Sequence, residues 1–303
     1  MDEQFAKRGD VELCYETFGD ASDPTMLLVM GLGTQMLGWH ADFCRELAGR
    51  GFHVVRYDNR DSGRSTHFRD TPPPNVLEMV TRRPRRLAYT LEDMADDGMR
   101  LLDHLGVERA HVVGASMGGM IAQVMTVRHP RRVLSLTSIM SATGSRRVGN
   151  PALKAYPFFL GKPPRDKEAY VDRIEKLFAI VGSPGFERDQ GELRRMAALS
   201  YDRDPTSSGT ARQLAAIMAA GNRTADVRRI EAPTLVIHGT DDRLVATSGG
   251  KATARAIPGA RLMLIEGMGH DLPRGVWPRL LDAIAEHAGR AAAAHEDVAW
   301  QPS

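Results

Sequence analysis

The chain has 303 residues, of which 42% are hydrophobic and 26% charged, with a formal net charge of +2. This length suits one large α/β domain with room for an inserted subdomain, and the near-neutral charge offers no field that would attract nucleic acid or an anionic membrane. No apolar run approaches the ~18 residues that a membrane span needs, no signal peptide is evident, and two cysteines are too few for a disulfide framework, so we expect a cytoplasmic protein.

The first half of the chain alternates strand and helix patterns. Apolar runs predict strands over residues 11–18, 26–30, 53–57, 111–113 and 133–139, and helical spacing predicts helices over 38–49, 91–105 and 117–125. The proline-rich stretch 69–88 is expected to be irregular, and its basic cluster 82–86 favours a solvated surface over a nucleic-acid site. This alternation predicts an α/β protein with a mostly parallel sheet flanked by helices.

The alternation stops after residue 143. Residues 144–226 show helical stretches separated by Pro/Gly breaks, without a convincing strand, which predicts an inserted helical lid. Strand and helix patterns then resume, with strands over 234–238 and 261–265 and helices over 250–256 and 277–287. We therefore predict a core of residues 1–143 and 227–290, a lid of residues 144–226, and a fraying C-terminal tail of residues 291–303.

A serine stands at the apex of a predicted strand–turn–helix unit. Ser116 lies in the sequence Gly114-Ala115-Ser116-Met117-Gly118, directly after a strand and directly before a helix. Such a nucleophile elbow needs small residues around the serine, because the turn is strained and its backbones crowd together. The pattern predicts that Ser116 is a catalytic nucleophile.

A serine nucleophile needs a histidine to take its proton and a carboxylate to orient that histidine. Asp241 and Asp242 directly follow the strand 234–238, and His270 lies in a loop directly after the strand 261–265. These positions place the acid and base at the carboxyl ends of strands, where functional residues gather. We favour Asp242 over Asp241 as the acid and expect His287 and His295 to be surface residues.

The reaction also requires two donors for the oxyanion of the tetrahedral intermediate. The backbone N–H of Met117 is one candidate, because it follows the nucleophile at a helix N-terminus. The other is the N–H of Leu32, in the glycine-bearing loop after the strand 26–30.

With these residues placed, the chain resembles the serine-dependent α/β-hydrolase family over residues 10–140 and 228–287. The segments that carry the resemblance are Gly31-Leu32-Gly33, residues 58–65, residues 114–118, His238-Gly239-Thr240-Asp241-Asp242 and Gly269-His270. Its framework is most similar to the aclacinomycin methylesterase type of carboxylesterase. The family's His-Gly-x-x-Asp pattern implies Asp242 as the acid. The resemblance implies no cofactor, and no metal-ligand spacing is present.

The substrate is predicted less directly. Met36 and Trp39 follow the oxyanion loop and are candidates for substrate contact, although either could instead pack in the core. The aromatic residues of the lid favour a bulky or apolar ester, a methyl ester being one candidate. Alternatives are another serine-hydrolase activity (C–C hydrolase, lactonase, aminopeptidase or cofactor-free haloperoxidase) or a non-catalytic ligand-binding protein on this scaffold.

Overall fold

A computed structural model describes residues 3–81, 84–152, 164–206 and 208–299. Its centre is an eight-stranded sheet in the order β1-β2-β4-β3-β5-β6-β7-β8. The strands are β1 (Gln4–Arg8), β2 (Val11–Phe18), β3 (Thr25–Val29), β4 (His53–Tyr57), β5 (Ala110–Ala115), β6 (Val133–Ile139), β7 (Thr234–Gly239) and β8 (Arg261–Ile265). Strand β2 pairs antiparallel with β1 and with β4, and the other pairs are parallel. The predicted α/β class with a mostly parallel sheet is confirmed.

Ten α-helices are described. They are α1 (Ala41–Ala48), α2 (Val76–Thr81), α3 (Leu91–His104), α4 (Met117–Arg128), α5 (Lys167–Val181), α6 (Gln190–Arg203), α7 (Ser208–Ala220), α8 (Thr224–Val227), α9 (Ser248–Ala256) and α10 (Trp277–Ala299). Thr90 caps α3 in a reciprocal capping box with Asp93, because the Thr90 side chain accepts from the Asp93 N–H while the Asp93 carboxylate accepts from the Thr90 N–H. Short 3-10 helices precede α1 and α10.

The core consists of two apolar layers, one on each face of the sheet. Successive residues of β3 alternate between them, because side chains along a strand point to opposite faces. Leu27 and Val29 pack in the layer that includes α3 and α4, whereas Met26 and Leu28 pack in the layer that includes α1 and α10.

Several sequence predictions were wrong in detail, among them the irregular stretch 69–88, in which helix α2 forms. Helix α10 continues to Ala299, so the described part of the predicted tail is helical, and Ala291 is buried. His287, predicted to be a surface residue, is buried with Nε2 3.2 Å from the carbonyl oxygens of Leu136 and Pro233. Strand β1 was not predicted, because only Ala6 within it is buried.

Helices α5, α6 and α7, called the inserted helices below, lie between β6 and β7 in the sequence. The described part of residues 144–226 contains no strand. Of the bulky residues that suggest an apolar substrate, Tyr156, Phe158, Phe159 and Leu160 fall outside the described residues, whereas Phe178 is half-buried in α5. Arg82 and Arg83 of the basic cluster also fall outside them, whereas Arg85 and Arg86 are exposed. Within the described ranges, none of the helices combines the length and apolar character that crossing a bilayer demands.

Candidate active site

Ser116 occupies a strained position between β5 and α4. Its φ of 56° and ψ of −119° lie where non-glycine residues are rarely found. Glycine is required beside it, since a Cβ at Gly118 would lie 2.1 Å from the carbonyl oxygen of Val29. This backbone geometry places the Ser116 side chain at the carboxyl end of β5, where it remains partly exposed.

Three side chains from the ends of β5, β7 and β8 meet at this edge of the sheet. His270 Nε2 lies 2.9 Å from Ser116 Oγ, and His270 Nδ1 lies 2.7 Å from Asp242 Oδ2. The structure thus brings Ser116, His270 and Asp242 into one hydrogen-bonded chain. Asp241 instead accepts from the Thr240 hydroxyl and the Gly267 N–H.

The surroundings of Asp242 keep it ionised. Its Oδ1 accepts from the N–H groups of Leu244 at 2.9 Å and Val245 at 2.8 Å. Burial raises the pKa of the Asp242 carboxyl, but the adjacent His270 and the hydrogen bonds from His238 and His270 outweigh it, so the pKa lies well below its usual range. His238 is buried and also lies 2.7 Å from the Val245 carbonyl oxygen through Nε2.

An ionised Asp242 determines which nitrogen of His270 carries hydrogen. A carboxylate can only accept, so His270 Nδ1 must donate to it. In the neutral imidazole, Nε2 then carries a lone pair and can accept the Ser116 hydroxyl hydrogen. The arrangement can therefore move a proton from Ser116 Oγ to His270 Nε2.

The loop after β3 lies against the serine. A Cβ at Gly31 would lie 3.0 Å from Ser116 Cβ and 3.6 Å from Ser116 Oγ. No acceptor for the N–H of Leu32 or Met117 is found among the described residues. Their role as oxyanion donors stays a prediction. The loop after β4 is bonded to the chain just after this loop, since Asp58 Oδ1 accepts from the Met36 N–H at 2.7 Å.

Met36 and Trp39 do not present a surface to a ligand. Both side chains are fully buried, and Trp39 stacks on Phe43 with ring centroids 5.7 Å apart. The structure therefore gives no support to the predicted substrate contacts and matches the alternative of core packing.

Other nucleophiles and metal sites find little support. Burial raises the pKa of the Cys14 and Cys44 thiols to about 12, so neither supplies a thiolate near neutral pH. In the part of the chain that the structure describes, no three His, Cys, Asp or Glu side chains are grouped to hold a metal ion.

The inserted helices contact the loops of the site, which the sequence did not predict. The His270 N–H donates to the Val181 carbonyl at 2.7 Å, and the Gly269 N–H donates to Ser183 Oγ at 2.8 Å. On the other side, the Gly33 N–H donates to Gln213 Oε1 at 2.8 Å. Val181 and Gln213 lie in ordinary helical patterns and Ser183 lies in a Pro/Gly break, none of them in a recognisable motif, so only their three-dimensional placement reveals them.

A family model described as the alpha/beta hydrolase fold matches residues 24–273, which is most of the chain. The chain is an α/β-hydrolase. The family assignment and the resemblance noted from the sequence agree.

Three relatives illustrate the range of this hydrolase's similarities. It is 28% identical to the rhodomycin D methylesterases DauP of Streptomyces sp. (strain C5) and DnrP of Streptomyces peucetius, covering 95% and 92% of this chain and 98% and 95% of those proteins. The crystal structure of the enol-lactonase from Burkholderia xenovorans LB400 superposes with a TM-score of 0.72 at 24% identity, covering 96% of this chain and all of that one. The lactonase comparison shows the fold alone.

Proposed function

We propose that this α/β-hydrolase cleaves a carboxylic ester by a Ser-His-Asp mechanism. Ser116 is the nucleophile, His270 the general base and acid, and Asp242 the carboxylate that orients His270. The observation that carries the proposal is that His270 Nε2 lies 2.9 Å from Ser116 Oγ while Nδ1 lies 2.7 Å from Asp242. Both are hydrogen-bonding distances, one to the group whose proton His270 takes and one to the carboxylate that orients it.

In the first half of the reaction, Ser116 Oγ attacks the ester carbonyl carbon as its proton passes to His270 Nε2. The tetrahedral oxyanion is stabilised by the N–H groups of Leu32 and Met117. Collapse of the intermediate expels the alkoxide, which takes the proton from His270 and leaves as the alcohol. Ser116 remains acylated.

In the second half, a water molecule attacks the acyl carbon and gives its proton to His270. A second tetrahedral intermediate forms in the same oxyanion site. Its collapse releases the carboxylic acid as Ser116 Oγ recovers the proton from His270, which restores the resting enzyme. The ionised Asp242 stabilises the imidazolium of His270 in both halves.

The substrate class is proposed from two arguments. The names of the two methylesterase relatives support a methyl ester as the bond cleaved. The sequence of the segment that we propose forms a lid over the site favours a bulky or apolar small molecule, since it contains Tyr156, Phe158, Phe159, Leu160 and Phe178. An aminopeptidase is disfavoured, because the lid carboxylates that could hold a substrate amine are largely in ion pairs: Glu168 and Glu175 with Arg194, and Glu192 with Arg274.

The test is turnover of p-nitrophenyl acetate and butyrate, followed by a panel of methyl esters and lactones, by wild-type and Ser116→Ala protein. We expect kcat of Ser116→Ala to fall by about 10⁴-fold or more, since the nucleophile is lost. Ser248→Ala is the matched control, because Ser248 is exposed and its hydroxyl accepts from the Gly149 N–H, away from the three proposed catalytic residues. Ester turnover that persists unchanged in Ser116→Ala would contradict the proposal.

A further inference from the structure

Gln213, on the inserted helix α7, joins two core loops through one buried amide. Its Oε1 accepts from the Gly33 N–H at 2.8 Å, and its Nε2 donates to the Arg60 carbonyl at 2.8 Å. A backbone N–H can only donate and a carbonyl can only accept, so these partners determine the orientation of the amide. The Gln213 side chain has no exposed surface, so water does not compete for either bond.

The backbone that Gln213 holds is the turn beside the nucleophile. The Thr34 N–H donates to the Gly31 carbonyl at 3.2 Å and closes a turn with Leu32 and Gly33 at its centre. One side of this turn lies against Ser116, since a Cβ at Gly31 would lie 3.0 Å from Ser116 Cβ. The other side meets α7 closely: Gly33 has φ of +63°, and a Cβ there would lie 2.6 Å from Thr210 Oγ1.

Helix α7 is itself firmly anchored at this point. Arg212, the neighbour of Gln213, makes a two-pronged ion pair with Asp61 at 2.6 and 2.7 Å, with both side chains almost fully buried. Arg60 pairs with the buried Asp97 in the same way. Buried ion pairs therefore hold both the helix that carries Gln213 and the residue that accepts from its amide.

We propose that Gln213 is a positioning residue that holds the turn Gly31–Thr34 so that the Leu32 N–H faces the oxyanion. This inference rests on the proposed function, in which Leu32 is an oxyanion donor. Such a donor acts at about 2.7–3.1 Å from the developing charge, and displacements of about 1 Å are costly to catalysis. Through Gln213, an inserted helix contributes to the stabilisation of the transition state without touching the substrate.

The experiment compares wild-type protein with Gln213→Met and Gln213→Glu. Methionine keeps the length of the side chain and offers the Gly33 N–H only a weak sulfur acceptor. Glutamate keeps an oxygen acceptor for that N–H and, in the protonated form that burial favours, also keeps a donor to the Arg60 carbonyl. Removing an oxyanion donor outright costs about 10²–10³-fold in kcat. We expect Gln213→Met, which leaves Leu32 in place but loosely held, to lower kcat for p-nitrophenyl butyrate by about 10–100-fold, with KM within about twofold. Gln213→Glu should retain clearly more activity.

A second readout needs no assigned substrate. A fluorophosphonate probe phosphonylates an activated serine through a charged transition state, and intact-mass spectrometry gives its rate of reaction with Ser116. We expect this rate to fall in Gln213→Met by a factor similar to that in kcat. Gln123→Met is the control, because Gln123 is equally buried and its amide contacts Ser138 and Arg223, away from the turn. Its melting temperature should fall comparably while its labelling rate stays near wild type.

The inference is overturned if Gln213→Met keeps wild-type kcat and labelling rate, if its loss lies in KM alone, or if Gln123→Met loses as much. Should Gln213→Met not fold, Gln213→Asn, whose shorter amide cannot reach both Gly33 and Arg60, decides by the same measures against Gln123→Met. Failure of the ester proposal is visible separately: wild-type protein that is labelled at Ser116 but cleaves no ester refutes the substrate class, and labelling rates still decide the role of Gln213. Wild-type protein that is not labelled at Ser116 refutes both.

Discussion

Replacing Asp242 by asparagine tests the orientation of His270 with almost no change of shape. In the native protein, Oδ1 accepts from two backbone N–H groups, those of Leu244 and Val245, while Oδ2 accepts from His270 Nδ1. Asparagine has one oxygen and one NH₂ group for these two positions. If its oxygen stays with the two N–H groups, its NH₂ donates to His270 Nδ1, and the imidazole hydrogen moves to Nε2. Nε2 then cannot accept the proton of Ser116.

The size of the effect follows from the alternative orientation. Restoring the productive tautomer of His270 requires the amide to turn, which aims its NH₂ at the N–H groups of Leu244 and Val245. Each buried donor left without an acceptor costs about 1–3 kcal/mol, so turning costs about 2–6 kcal/mol. Since about 1.4 kcal/mol corresponds to tenfold, the productive form is about 30-fold to about 10⁴-fold less populated. We expect kcat of Asp242→Asn to fall by a factor in that range.

The assay is steady-state hydrolysis of p-nitrophenyl butyrate, with a melting curve for each protein. Asp241→Asn is the matched control, because Asp241 is the adjacent residue and contacts Thr240 and Gly267 instead of His270. It should keep kcat within about threefold of wild type. The reasoning is refuted if Asp242→Asn retains more than about a tenth of wild-type kcat, or if Asp241→Asn is the more damaging substitution.

Two further predictions concern the oxyanion loop and pH. Gly31→Ala places a methyl group 3.0 Å from Ser116 Cβ and should lower kcat about tenfold. Gly289→Ala, with open space around the new methyl group, should leave kcat unchanged. Equal kcat in the two variants would contradict the inference that Gly31 is needed for space beside Ser116. Burial lowers the pKa of His287, so the folded protein resists a proton that the unfolded chain accepts, and stability falls as pH drops below about 6.5. His287→Gln should therefore lose less melting temperature than wild type between pH 7.5 and pH 5, and an identical loss by scanning fluorimetry would count against this assignment.

Much of the site could be located from the sequence, because local patterns mark it. Ser116 lies between a continuous apolar strand and a helical repeat, and Asp242 and His270 each follow such a strand directly. In a parallel sheet these strand ends share one edge, so the three residues are expected to be neighbours.

The features that the sequence did not predict depend on contacts between distant segments. His287 looks like any polar residue on an amphipathic helix, and its burial follows from packing beneath the carbonyls of Leu136 and Pro233. Strand β1 exposes every residue except Ala6, because an edge strand buries little, so it lacks the apolar pattern of a core strand. Gln213 is one polar residue in a helical repeat, and its partners Gly33 and Arg60 lie at least 150 residues away.

The backbone bonds between the inserted helices and the loop of His270 bear on protein engineering. Besides the bond from His270 to Val181, the Gly185 N–H donates to the Gly267 carbonyl at 2.9 Å, so the chain just after α5 runs along the histidine loop. Exchanging the whole segment between β6 and β7 for that of a relative, in order to transplant its specificity, would replace these supports together with the proposed lid. A chimera that keeps the native residues 181–185 and Gln213 should acquire new selectivity with less loss of turnover than one made by wholesale exchange.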